Sequence, residues 1–232
     1  MHRAQIAVLY KLRHSQSASF SELMHETDLE SDVFKFHIQK LVKLAYIHKL
    51  TNGEYELTPY GKEFANNLDE EKQTAQKQPK LSMLLIVPRP DHLDVPEYLM
   101  QKRMRHPYYG FWGCISGPVQ WGEDVEETAA RELEKQTGLR ASFEVRSFYR
   151  MRDYNEETDS LLEDKLFMVL RAYNVKGLLN ESLWPHGINR WMTQDKLKEQ
   201  RHYFTASDQA INMINQDKTY NSQRKEYKVT NY

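Results

Sequence analysis

The chain has 232 residues, with 32 Lys+Arg against 33 Asp+Glu, so its formal charge of −1 excludes binding that rests on a global basic field. Hydrophobic residues make up 40% and aromatics 12% of the chain, enough to bury a core and to exclude wholesale disorder. That length accommodates one large domain or two modest ones. In chain order, Ile6, Leu9, Tyr10 and Leu12 space a first helix. Ser19 with Glu22 three residues on forms a capping box that opens a short second helix. A longer third helix starts at Glu30 or Ser31 and runs to about Tyr46, with Phe34, Ile38, Leu41, Val42 and Ala45 as its buried stripe. Two short strands around Asn52-Gly53 predict a type I′ hairpin. A fourth helix, about Pro59–Leu68, carries proline near its first turn.

Helix, short helix, long helix, hairpin, helix is the order of a winged helix-turn-helix. The stretch FKFHIQKLVKLAYIHKLTNGEYELTPYGKEF also resembles that family, through an HxxKL-type third helix, an apolar pair before the wing, and the LTxxG exit at Leu57, Thr58 and Gly61. The resemblance implies a third helix in the DNA major groove and a wing on the backbone or minor groove. The matching polar positions are Ser31, Lys35, His37, Gln39, Lys40 and Lys43, with Lys49 and Asn52 at the wing. Two other uses fit the same face: a solvated surface, or a dimerisation or protein-docking winged helix. Asp28, Glu30 and Asp32 at the helix entrance oppose phosphate.

Asp69–Lys80 holds no large apolar residue and reads as a polar linker between residues 1–68 and 81–216. After it come the strand-like runs LSMLLIV, EYLMQKRMR, FWGCISG, ASFEVRSFYRM and KLFMVLRAYNV. One amphipathic helix, about Asp124–Thr137, is closed by Gly138, and a last helix spans about Ala206–Gln216. Residues 217–232 read as a polar tail, and His186 and His202 as loop residues.

Residues 117–139, GPVQWGEDVEETAARELEKQTGL, resemble the Nudix box G-x5-E-x7-R-E-U-x-E-E-x-G-U, with U aliphatic. Gly117, Glu123, Arg131, Glu132, Leu133, Gly138 and Leu139 stand on its fixed positions. The expected architecture is therefore α+β: a winged helix-turn-helix followed by a Nudix-fold α/β/α sandwich with a mixed sheet. In active Nudix members, the glutamate after the arginine and two later ones at i+3 and i+4 share one helix face and hold Mg²⁺ against a diphosphate. Here Glu132 is kept, but Lys135 and Gln136 occupy the other two slots. The resemblance makes Glu123 a partner of Arg131, and Arg103 the phosphate contact, with Arg105 beside it. Trp121, between polar residues, could stack on a base.

Lys135, one turn from Glu132, could fill the vacated cation space, or it could point to solvent beside a retired site. Acids at Glu156, Glu157, Asp159, Glu163 and Asp164 offer another route to a metal, or a solvated acidic loop. The preferred reading is a transcription regulator that binds double-stranded DNA as a homodimer and senses a nucleotide-like or phosphorylated metabolite. Its ligand set would be Arg103, Arg105, Trp121, Glu123, Arg131, Glu132, Lys135 and Gln136, with no cofactor expected. The alternative is a divergent Mg²⁺- or Mn²⁺-dependent hydrolase of nucleoside-diphosphate-linked compounds, with Glu132 as metal ligand and catalytic carboxylate. A protein-interaction scaffold is a third reading. Cys114 stands alone, the longest apolar run is Met83–Val87, and the N-terminus carries no signal-peptide pattern. Those features lead to the expectation of a cytoplasmic protein without a membrane partner.

Overall fold

The computed structural model describes residues 1–69, 74, 76–90, 95–183 and 187–228. It divides into two compact units, Met1–Lys77 and Gln78–Tyr232. Of the expected linker, residues 70–73 and 75 lie outside the described residues, as does His186, and Lys80 already opens a strand. Among the described residues no helix is long and apolar enough to cross a membrane.

The first unit contains α1 (Arg3–Arg13), α2 (Phe20–His25), α3 (Ser31–Lys43), β1 (Ile47–Lys49), β2 (Tyr55–Leu57) and α4 (Pro59–Asn66). Ser19 caps α2 reciprocally with Glu22, and the Thr58 hydroxyl caps α4. Leu9, Leu12, Leu23, Phe34, Ile38 and Leu41 are central to its core. Burying each large side chain contributes about 1.5–3 kcal/mol.

The structure differs from the expected third helix and hairpin. The buried stripe of α3 is Phe34, His37, Ile38 and Leu41. Val42 is exposed because it stands about 100° round the helix from Leu41, and Ala45 lies beyond the helix end with φ 59°. The hairpin is not type I′, which requires positive φ at both central residues, because of Asn52 and Gly53 only the glycine has it. Instead Leu50 N–H donates to Glu54 O (2.8 Å) and Gly53 N–H to Leu50 O (3.0 Å), closing a three-residue loop. At Gly61, a Cβ would lie 1.9 Å from the Tyr46 carbonyl oxygen, which explains the glycine of the LTxxG exit.

The second unit is one eight-stranded mixed sheet with helices on both faces. Its strands are β3 (Lys80–Ile86), β4 (Tyr98–Arg103), β5 (Trp112–Pro118), β6 (Arg140–Asn155), β7 (Leu161–Lys176), β8 (Ser182–Leu183), β9 (Gly187–Met192) and β10 (Tyr220–Tyr227). They lie in the order β10-β6-β7-β3-β5-β4-β9-β8. The pairs β3–β7 and β10–β6 are parallel, and the other pairs are antiparallel. Helices α5 (Val125–Thr137), α6 (Gln194–Lys198) and α7 (Thr205–Asn215) complete it.

Strand alternation places Met83, Leu85 and Val87 under α5 with Ala129 and Leu133. Leu84 and Ile86 fall on the other face, with Ala210 and Ile211 of α7. A strand covered on both faces reads as one apolar run, which is why LSMLLIV shows no alternation. The segment expected as a polar tail is corrected: Tyr220–Tyr227 pairs along β6 from Phe148 to Asn155. This edge strand buries only Tyr227, so its composition carries no hydrophobic period.

Candidate functional site

The box surrounds the start of α5. Gly117 ends the run of β5 beside Glu132, and a Cβ there would lie 3.5 Å from Glu132 Cγ. Gly138 closes the helix in the left-handed conformation, φ 76°. Glu123 Oε2 accepts from Arg131 Nη2 (2.8 Å) and from the Thr128 hydroxyl (2.8 Å), tying the loop to the helix. Those donors hold the Glu123 carboxyl below its ordinary range, and the same pairing raises Arg131.

Glu132 is buried, and both of its oxygens are taken. Arg131 Nη1 donates to Oε1 (2.8 Å), and Gln136 Nε2 donates to Oε2 (3.0 Å) and to Ser116 O (3.3 Å). The Gln136 carbonyl in turn accepts from Asn189 Nδ2 at 2.8 Å. Lys135 Nζ lies 3.7 Å from Glu132 Oε1 with its side chain 55% exposed. It is a marginal ion pair at the rim, and Arg131 holds that oxygen more closely. A divalent cation needs several oxygen ligands, whereas here one carboxylate, each oxygen of which already accepts a hydrogen bond, stands beside a lysine and an amide. The residues present do not fit the metal.

Other acids do not supply the missing ligands. Glu163 and Asp164 lie within β7 rather than a loop; Glu163 binds Lys80 and Lys165, and Asp164 binds Arg150. Asp159 pairs with Arg224. Among the described residues no three His, Cys, Asp or Glu side chains group so as to hold a metal ion. Trp121 is 97% exposed on the loop before α5.

Across the sheet from α5 lies a cavity of about 250 Å³, where Arg103 and Arg105 join Lys80, Glu163 and Lys165. Its walls include Tyr108, Met151, Phe167 and Phe204. Of the residues expected to bind ligand, Arg103 and Arg105 line this cavity. Trp121, Glu123, Arg131, Glu132, Lys135 and Gln136 do not.

Arg103 Nε donates to the carbonyls of Pro107 (2.6 Å) and Arg105 (3.0 Å), which shapes the following loop. Burial and the neighbouring Arg105 lower its pKa. Lys165 Nζ sits 2.8 Å from Asp153 Oδ2 and 3.1 Å from Glu163 Oε2, while Lys80 Nζ reaches Glu163 Oε1 at 2.5 Å. The Tyr108 hydroxyl donates to Asp153 Oδ2 at 2.6 Å, and burial with that bond raises its pKa far above the ordinary value. Asp153 is 1% exposed, and its Oδ1 has no hydrogen-bond partner among the described residues. Burial opposes ionisation of Glu163, but the two lysines overrule it and hold the carboxyl below its ordinary value.

Lys80, Asp153 and Lys165 were absent from the sequence-based site. A signal existed: Asp153 and Lys165 occupy the inward parity of strands whose neighbours Met151 and Phe167 are core residues, where unpaired charge is costly.

On α3, Ser31, Lys35, Gln39, Lys40 and Lys43 are exposed. Lys35 and Lys40 flank the outer face about 140° apart, with Gln39, Lys43 and a 61% exposed Phe36 between them. Lys40 and Leu44 border a groove with Met1, Ile6 and Phe64. His37 departs from expectation: it is buried and stacked on His2 with ring centroids 4.2 Å apart, and so does not join that face. Burial, the first cause, together with His2 and Lys40 lowers its pKa. At the wing, Lys49 is exposed, with Nζ 5.7 Å from the Tyr55 ring centroid. Asn52 is engaged within the turn, accepting from Glu54 N–H and donating to its carboxylate, both at 3.1 Å.

A family model described as the NUDIX domain matches residues 82–211. The MutT protein of Bacillus halodurans aligns with a TM-score of 0.51 at 19% identity, covering 66% of this chain and 93% of that one. The MutT NUDIX hydrolase of Burkholderia pseudomallei aligns at 0.48 and 22% identity, covering 60% and 99%. The NUDIX domain of Shewanella oneidensis NrtR, complexed with ADP ribose, aligns at 0.48 and 18% identity, covering 69% and 96%. No curated protein matches the chain.

Proposed function

The chain belongs to the NUDIX domain family, and from that premise we propose that it is a cytoplasmic DNA-binding transcription regulator whose Nudix unit binds a nucleotide-like or phosphorylated metabolite rather than turning it over. The observation that carries this reading is the state of Glu132. The one carboxylate left of the box's metal set has both oxygens occupied by Arg131 and Gln136. Across the sheet, the cavity lining keeps four cationic side chains, which suit a phosphorylated ligand without Mg²⁺.

The first unit supplies the reader in this proposal. Its element order and the exposed Lys35, Gln39 and Lys43 of α3 support a winged helix-turn-helix set in the major groove. Two copies would read two half-sites, and ligand binding would act by changing their spacing or population.

A thermal-shift panel of nucleotides and sugar phosphates, each with and without Mg²⁺, tests the sensor. Stabilisation independent of the metal is expected. Hydrolysis of ADP-ribose or a nucleoside triphosphate at ordinary Nudix rates would establish the hydrolase instead. For the reader, Lys43→Ala should weaken DNA binding and lower the salt slope by about 1. Binding that ignores Lys35→Ala and Lys43→Ala together would remove α3 as the DNA element.

A further inference from the structure

Resting on the ligand-sensing reading, we propose that the cavity opposite α5 takes the phosphomonoester of a single sugar or nucleoside, a sugar phosphate or nucleoside monophosphate, and that Glu163 is the resident anion displaced by its phosphate. Lys80, Arg103, Arg105 and Lys165 line the cavity with Glu163, which pairs with the two lysines, and Asp153 pairs with Lys165. Four positive groups against two carboxylates leave an excess of two. A phosphomonoester carries about −1.5 to −2 charges at pH 7 and three acceptor oxygens, which matches that excess. Glu163 already shows the geometry of the exchange. One oxygen lies 2.5 Å from Lys80 and the other 3.1 Å from Lys165, so a phosphate takes over both ammonium partners while bringing the greater charge.

Size narrows the class. About 250 Å³ is below the roughly 300–1,000 Å³ of drug-sized ligand sites, which favours a monophosphate over a diphosphate that joins two sugars. Met151, Phe167 and Phe204 provide apolar wall for the ring, and Ser82 and Ser116 line the cavity with hydroxyls. The Arg103 fork is anchored through Nε and Nη2 to loop carbonyls, leaving Nη1 without a protein partner among the described residues. Of the box residues Gly117 lines the cavity, while Glu132 beside it does not, its carboxylate being held by Arg131 and Gln136.

Calorimetric titration of the full chain without added metal tests this, using AMP, ribose 5-phosphate, adenosine and ADP-ribose as probes. Both monophosphates should bind about tenfold or more tighter than adenosine or ADP-ribose. Glu163→Gln should tighten AMP binding by about 3- to 10-fold by removing the internal competitor, and Arg105→Gln should weaken it by a similar factor. AMP affinity should rise between pH 5 and 7 as the phosphate loses its second proton near pH 6, whereas the 5′-sulfate ester of adenosine should show no such rise. The groups facing the phosphate in that window are Lys80, Arg103, Arg105, Tyr108, Cys114, Asp153, Glu163 and Lys165. ADP-ribose binding tighter than AMP, or AMP binding unchanged or weakened in Glu163→Gln, overturns the phosphomonoester assignment and leaves the sensor reading standing. Failure of every phosphorylated probe to bind overturns both. If Glu163→Gln does not fold, Lys80→Gln at the cavity rim takes its place and should weaken AMP, and unchanged affinity there also overturns the proposal.

Discussion

On its α5 face, the sheet of the second unit surrounds one buried carboxylate with an arginine, an amide and a rim lysine, so Glu132 is satisfied from within the protein. On the α7 face it lines a cavity with four cations and Glu163, beside an aspartate whose Oδ1 has no hydrogen-bond partner among the described residues. The first arrangement is closed to a further cation, and the second has charge to spare for an anion. The comparison teaches that a family signature and a ligand site can part company. The box keeps its helix packing around Glu132, while the cationic side chains of the cavity come from β3, β4, β7 and the loop after β4.

The largest effect that would break this comparison is expected on the cavity side. Lys165→Met leaves Asp153 buried without its cation and should cost about 3–5 kcal/mol in chemical denaturation, because an unpaired buried charge is worse than no pair. A loss below about 1 kcal/mol would mean that the aspartate is neutral or hydrated in the fold.

Next comes the box. Gln136→Glu replaces an amide 3.0 Å from Glu132 with a second carboxylate, and should cost about 1–3 kcal/mol at neutral pH. Adding Lys135→Glu rebuilds the three-carboxylate face, and millimolar Mg²⁺ should then raise the melting temperature of the double variant but not of the parent. No metal response in that double variant would show that the backbone, too, has lost the site.

Acid provides a smaller test. The folded state holds the Glu163 carboxyl below its ordinary value of 4.5, so its contribution to stability is present above that pH. It is lost as pH falls below 4.5 and through the depressed folded value. Glu163→Gln should therefore flatten the acid limb of the stability profile below about pH 4.5 and leave its shape unchanged near pH 7. The smallest effect belongs to Lys135→Ala, expected within about 0.5 kcal/mol because its ammonium is half-exposed and 3.7 Å from its partner. A cost above about 1.5 kcal/mol would restore Lys135 as an internal cation in the metal's place.

Legibility in the sequence followed burial and spacing. The Glu123–Arg131 tie was implied by the family resemblance, and the Gly138 cap was readable because it depends on helix geometry over a few residues. Arg103 was identified from the family resemblance and Arg105 as its neighbour in sequence, and both line the cavity. The Lys80–Glu163–Lys165–Asp153 cluster was not read, since its members come from three strands adjacent only in the folded sheet. His37 illustrates the converse, because a polar residue at a helix position with the right spacing was buried by a stacking partner from the other end of the unit, His2. Asn52 was placed at the wing correctly in sequence, yet its amide is committed to Glu54.

The helix and strand periods by themselves marked the elements, and residues 117–139 carried the resemblance to the Nudix family, with Lys135 and Gln136 in two of its metal slots. Periodicity and spacing express local geometry, and local geometry is written along the chain. Which charges meet across the sheet, that Tyr220–Tyr227 adds an edge strand, and which face retains capacity for an anion were decided only by tertiary structure. Strand pairing joins residues tens of positions apart, and the balance of charge in a cavity depends on which of them arrive together.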